Sequence, residues 1–336
     1  AYSGCEYSEL SLIDYSVVYN ATYRETFRSE IITTSSGVGV DVIDICIPKL
    51  RCNMINFINE LDSLEFLGCG IQEVEACFSE NMQDIKGQLT LAYNQIATIK
   101  KNTFKNLSVQ LMFLDHNSIA KIEDDAFNHL SNLEQLKLNN NLLKELNPNA
   151  FKGTPNLQTL FLYCNDILFL QESTFAFFQQ PEVFISLESN YISNLDRNFL
   201  HHLSPHIRLY LDLTNNNIHR LDKDIFRNHI LGRLELGYNP LVEIDTDFCS
   251  RNCTVERFTF ECEYLSNDSA DFLFKWLKEY EVGFITGNCP RYNFTETKST
   301  YRPIKCGGSK IHSDSVLLTT AFSIIFVFKA FFDRKL

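Results

Sequence analysis

An asparagine returns through the middle of this chain at the pace of a structural repeat: Asn94, Asn117, Asn141, Asn165, Asn190, Asn216 and Asn239 stand 23 to 26 residues apart. Each follows the same apolar pattern, clearest in Leu133-Glu-Gln-Leu136-Lys-Leu138-Asn-Asn-Asn141-Leu-Leu143-Lys-Glu-Leu146, and Cys69 fills the asparagine slot one repeat earlier. Phe104, Phe127, Phe151, Phe175 and Phe226 all fall ten residues past their asparagines. A unit this short cannot bury its own apolar face, so neighbouring units must stack. Leu136, Leu138, Leu143 and Leu146 are then expected in one shared interior, with the phenylalanines filling its wide outer side. The asparagine amides are expected to bond backbone groups that would otherwise be buried unpaired, forming a ladder from repeat to repeat. Cysteine suits the same slot because a small, weakly polar thiol tolerates burial.

Toward both ends the pattern wears away, at Val40-x-Val42-x-x-Ile45-x-Ile47-x-x-Leu50 and at Val255-x-x-Phe258-x-Phe260. Terminal units have a neighbour on one side only and need atypical sequence to cover their open ends. The cysteines follow the same logic: Cys5, Cys46, Cys52, Cys69 and Cys77 precede the regular middle, Cys249, Cys253, Cys262, Cys289 and Cys306 follow it, and only Cys164 lies between. Disulfide-stapled caps and an oxidising compartment are implied. No CxxC pair occurs, which argues against zinc, and no metal or cofactor is expected. The odd total of 11 leaves a thiol unpaired or bridging to another chain. Cys164 is the candidate for an intermolecular disulfide in a homo- or heterodimer, its alternative being a free thiol shielded by Tyr163.

This register resembles the extracellular leucine-rich-repeat superfamily, in its typical class of about 24 residues per repeat, over Val38 to Leu265. The resemblance implies an α/β repeat solenoid: a horseshoe with a parallel concave sheet, a mostly irregular convex side and disulfide-stapled caps. Asp271-Phe-Leu-Phe-Lys-Trp276-Leu-Lys-Glu-Tyr280 with Cys289-Pro290 and Cys306 resembles the family's C-terminal cap, whose amphipathic helix covers the last repeat. Four segments are expected: an N-terminal cap over 1–60, about eight repeats over 61–252, a cysteine-rich cap over 253–306 and a membrane-attachment tail over 307–336.

In a strand whose leucines point inward, the residues between and just after them face the concave side. Read this way, the candidate partner-binding residues are Leu111, Phe113, Asp115, Lys137, Phe161, Tyr163, Phe184, Glu188, Tyr210, Asp212 and Glu235. Aromatic groups on one continuous surface are what protein-interface hot spots are made of. The competing reading is that the rings only pack against each other along the sheet. Asp115, Glu188, Asp212 and Glu235 form an acidic rim in this reading, favouring a partner basic at that surface.

A formal net charge of -12 argues against nucleic acid as the main partner. Catalysis has little support. His201-His202 and His206 lie in a return segment without a nucleophile at motif spacing, and Glu123-Asp124-Asp125 and Asp222-Lys223-Asp224 lack the central glycine of a calcium loop. Sequons stand at Asn20, Asn106, Asn252, Asn267 and Asn293. In the tail, Gly307-Gly308-Ser309, a polar spacer and the apolar run Val316 to Phe332 fit a GPI-attachment signal. A short single-pass helix competes with it, although 17 residues reach only about 25 Å against roughly 30 Å of hydrocarbon. The chain therefore reads as a protein-binding molecule of the adhesion or receptor type on the extracellular face of the plasma membrane. The alternative is a secreted innate-immune factor similar to the leucine-rich-repeat immune proteins of insects.

Overall fold

Thirteen strands hydrogen-bond into one sheet among the residues that the computed structural model describes, which are 28–34, 37–43, 47–52, 61–79, 85–250, 252–286, 304 and 306. The chain forms two compact units, Ala1–Cys306 and Gly307–Leu336, and the second lies outside the described residues.

In chain order the long sheet holds β1 (Arg28–Thr34), β2 (Gly37–Ile43), β3 (Leu61–Leu67), β4 (Ile85–Thr90), β5 (Leu111–Phe113), β6 (Gln135–Lys137) and β7 (Thr159–Phe161). It continues through β8 (Glu182–Ser186), β9 (Arg208–Asp212), β10 (Ile230–Glu235), β11 (Arg257–Phe260) and β12 (Gly283–Thr286), with Thr254–Val255 paired beside β10. From β2 onward every neighbour is parallel and one repeat further along the chain. Each return crosses the outer side, where two-residue strands pair in turn, for example Thr98–Ile99 with Lys121–Ile122 and Phe169–Leu170 with Asn194–Leu195.

The pattern of one leucine in, one residue out produces this sheet directly. Leu136 and Leu138 are fully buried while Gln135 and Lys137 between them are half-buried on the opposite face. Behind the sheet runs a spine of fully buried rings, Phe78, Phe104, Phe127, Phe151, Phe175, Phe199, Phe226 and Phe248. Consecutive rings meet at centroid separations of 5.3 Å to 6.4 Å from Phe104 to Phe151 and from Phe175 to Phe248, and Phe151 meets Phe177 at 4.6 Å between the two runs. Phe78, Phe199 and Phe248 stand nine residues past their Cys69, Asn190 and Asn239, not ten, and a fixed offset therefore misses them.

The asparagine ladder is present. Asn141 Oδ1 accepts the Ile119 N–H at 2.9 Å, and its Nδ2 donates to the Leu114 and Leu138 carbonyls at 3.0 Å each. Asn94, Asn117, Asn165, Asn190, Asn216 and Asn239 repeat the arrangement. Cys69 is buried in its slot with its thiol on the Leu67 carbonyl. The residue just before each rung adopts left-handed backbone: Gly68, Tyr93, His116, Asn140, Cys164, Ser189, Asn215 and Tyr238 all have φ between 54° and 65°. Only Gly68 does so without strain, so the ladder bonds on either side hold the other seven there.

Both worn repeats belong to the sheet. β2 pairs in parallel with β3, Val40 against Leu64, and β1 folds back antiparallel on β2 to cover the exposed edge. At the other end β12 closes on β11, and helix α1 (Asn267–Glu279) lays Leu273, Trp276 and Leu277 on the last repeat. Ser266 caps α1, its hydroxyl accepting from the Ser269 N–H, so the helix begins four residues before Asp271.

Three cysteine pairs lie wholly among the described residues. Cys52–Cys77 joins adjacent N-terminal repeats and Cys249–Cys253 staples a turn before the cap. The third corrects an expectation: Cys164 bonds Cys306 of the same chain, with Cα atoms 5.4 Å apart, so its sulfur is neither free nor available to a second molecule. A separation of 142 residues hid this pairing, because nothing in a repeat pattern indicates that the chain beyond the cap returns to the fourth asparagine repeat's edge.

Candidate functional site: the concave face

All eleven residues expected on the concave face lie on β5 to β10 or two residues beyond a strand's end, on the side away from the phenylalanine spine. They are packed more closely than an open binding surface. Phe184 and Tyr210 are register partners on β8 and β9, and their rings stack at 4.2 Å. Phe161 meets Tyr163 edge-on at 6.2 Å, and the Lys137 ammonium sits 4.0 Å above the Phe113 ring. Sideways packing along the sheet is therefore real for these rings, yet Leu111, Phe113, Phe161, Tyr163, Phe184 and Tyr210 each keep a half-exposed surface.

The acidic rim is corrected. Glu188 is 2% exposed and Glu235 8% exposed, so these carboxyls lie in the floor of the face, not on a solvated border. Glu188 Oε1 accepts the Ile304 N–H at 2.5 Å, from chain brought there by the Cys164–Cys306 bond. Asp115 and Asp212 are half-buried, and burial holds both carboxyls above the usual carboxylate range. Glu235 is pushed up to about 7, by burial first and by the neighbouring Asp212 charge second, against the pull of Arg233. Arg233 forms an ion pair with Glu235.

Around Asp115 a second polar cluster forms. The His116 ring stacks on Tyr93 at 4.2 Å and its Nε2 lies 3.9 Å from the Asp115 carboxylate. Burial lowers the proton affinity of His116 and of Lys137 and raises that of Tyr93 and Tyr163. Further toward the N-terminus, Gln88 donates to Glu65 Oε1 and Thr90 Oγ1 at 2.8 Å each. Tyr93 and His116 escape a reading confined to the between-leucine positions, because they occupy the left-handed slot before the asparagine. Arg233 stands in the between-leucine column itself, as the register partner of Tyr210. Reading the pre-asparagine column would have found the His116–Tyr93 pair.

Other candidates fall elsewhere. His201 lies 3.1 Å from Glu172 on the exposed outer side, beside His202. Asn106, Asn252 and Asn267 are exposed, the first two in left-handed turns, whereas Asn20, Asn293, Gly307, Gly308 and Ser309 lie outside the described residues. Cys52, Glu75 and Cys77 bring their donor atoms together, but the two sulfurs are bonded to each other.

Residues 108–167 match the family model described as leucine rich repeat. Lumican of Coturnix japonica is 29% identical over 182 residues, covering 46% of this chain and 51% of lumican. Human Toll-like receptor 3 is 29% identical over 141 residues, 41% of this chain and 16% of the receptor. The chain thus spans about half the length of lumican and a smaller share of the receptor. Among solved structures, the mouse RP105/MD-1 complex superposes with a TM-score of 0.62 at 19% identity, over 77% of this chain and 46% of that one, a likeness of fold. Repeat register, asparagine ladder and sheet topology are those of a leucine-rich-repeat solenoid, and residues 108–167 and the relatives carry the same repeat.

Proposed function

We propose that this chain is an extracellular, membrane-attached recognition protein that binds a protein partner through its concave face, in an adhesion or receptor-like role. The observation that carries the reading is the row of half-exposed rings, Phe113, Phe161, Tyr163, Phe184 and Tyr210, on one rigid sheet. Rings already held by their neighbours lose little freedom when a partner covers them and remove a large apolar area from water. The disulfides fit an oxidising, extracellular compartment. The net charge of -12 and the acids among the rings favour a protein that is basic where it touches, and disfavour nucleic acid. Residues 307–336 attach the chain to the membrane, through a GPI anchor near Gly307 to Ser309 or a short helix.

A second reading, a secreted innate-immune recognition factor acting on microbes or complement-like partners, is favoured by the similarity to human Toll-like receptor 3. Two experiments test these readings. Phosphatidylinositol-specific phospholipase C releases the protein from expressing cells if the anchor is GPI. The full chain, displayed on cells, is presented to secreted and cell-surface proteins beside a Phe161→Asp/Phe184→Asp variant; equal capture by both forms rules out the concave face.

A further inference from the structure

The chain beyond the C-terminal cap does not leave the solenoid at its end. Cys306 is bonded to Cys164, and Ile304 is held beside it by its N–H on Glu188 Oε1 and by the Ser189 hydroxyl, which donates to the Ile304 carbonyl at 3.3 Å. The segment that follows Cys306 therefore starts from the turn after β7, in the middle of the repeats. Only nine residues, Gly307 to Ser315, separate it from the apolar run Val316 to Phe332. Fully extended, they reach about 30 Å.

The turn after β7 opens onto an apolar flank. Leu142, Leu168, Phe169 and Tyr191 are 46%, 46%, 41% and 54% exposed, on three consecutive repeats. Backbone bonds stitch these segments side by side: the Leu168 N–H donates to the Lys144 carbonyl, and the Tyr191 N–H to the Ile167 carbonyl. Leu143, Ile167 and Ile192 supply the buried half of the same segments, so the exposed four are surplus to the core. Lys144 and Glu145 border the patch, and Asp166 stands between Leu142 and Tyr191 in the column after the asparagines.

We infer that this flank lies against the lipid surface to which residues 307–336 attach the protein, with Leu142, Leu168, Phe169 and Tyr191 at the headgroup boundary. The inference rests on the membrane-attachment reading above. Aliphatic groups flanked by a tyrosine and a lysine are the side chains that settle at that depth. The Cys164–Cys306 bond starts the tether beside this flank, which is therefore the part of the repeats nearest the point where the tail departs.

The test uses the full chain with its tail in phosphatidylcholine vesicles carrying brominated acyl chains, which quench nearby tryptophan. Tyr191→Trp is compared with Tyr280→Trp, an equally exposed position at the end of α1; buried Trp276 gives a common background. Quenching roughly twofold or more beyond that of Tyr280→Trp is expected, from the depth at which such side chains sit, and it should vanish when Cys164→Ser/Cys306→Ser is added. Co-flotation with vesicles without excess quenching overturns the flank contact and leaves membrane attachment standing. Failure to co-float overturns attachment and the flank contact together. A concentration-dependent emission shift of Tyr191→Trp in detergent assigns the patch to a second copy and also overturns the inference.

Discussion

Asp212 and Glu235 stand side by side in register on β9 and β10, and burial together with the Asp212 charge raises the proton affinity of Glu235. Glu235 is held up to about 7, so between its ordinary range and neutrality the folded chain binds a proton that the unfolded chain releases. Stability from this pair is full below the unfolded value and declines as pH rises through about 7. On the order of 2 kcal/mol is at stake. Urea midpoints should fall from pH 5 to pH 8, and Glu235→Gln should flatten that slope; an unchanged slope in the variant refutes the assignment.

Removing one rung of the ladder should be severe. Asn141→Ala strands the Ile119 N–H and leaves the Leu114 and Leu138 carbonyls one partner short, all in the interior. At about 1–3 kcal/mol for each unsatisfied buried group, a loss of roughly 3 kcal/mol or more is expected in denaturant unfolding.

The two faces of the sheet should separate stability from binding. Phe127 is fully buried between Phe104 and Phe151, and Phe127→Ala should cost about 3–5 kcal/mol. Phe161 is half-exposed and meets Tyr163 edge-on, so Phe161→Ala should cost about 1 kcal/mol while weakening partner capture. Unfolding and binding measured on the same two variants check the contrast.

Gly153 is required by close approach. A Cβ there would sit 2.7 Å from Asn128 Cα and 2.8 Å from the Phe127 carbonyl oxygen, both backbone atoms of the preceding repeat. Gly153→Ala should therefore destabilise by about 1–3 kcal/mol, read as a lower urea midpoint.

Peptide mapping without reductant should recover Cys164 linked to Cys306, and the protein should migrate as a monomer in non-reducing electrophoresis. A dimer band that disappears in Cys164→Ser would contradict the intramolecular bond.

The solenoid was legible in the sequence because its spacing is dictated locally: each leucine, asparagine and phenylalanine answers to its own repeat and the next one. Phe199 and Phe248 were harder to see because one residue fewer separates them from their asparagines, a difference the irregular outer turns absorb. Side-chain facing on the concave strands followed from alternation. The state of those side chains did not, since Glu188 accepts the N–H of Ile304, 116 residues away. Cys164 was misread for the same reason: disulfide partners answer to tertiary return of the chain, and repeat periodicity carries no information about it.

The Cys164–Cys306 bond also sets the route that tension takes. Pulling on the chain at Gly307 loads Cys306, and the sulfur bridge passes the load to Cys164 at the end of β7. β8 to β12 and α1 lie inside the closed covalent loop, mechanically in parallel with the bridge rather than in series with it. They can neither be peeled from the free end nor stretched while the bridge is intact. Force applied through the tail reaches the N-terminal repeats first, so the half of the sheet nearer the cap keeps its shape under strain.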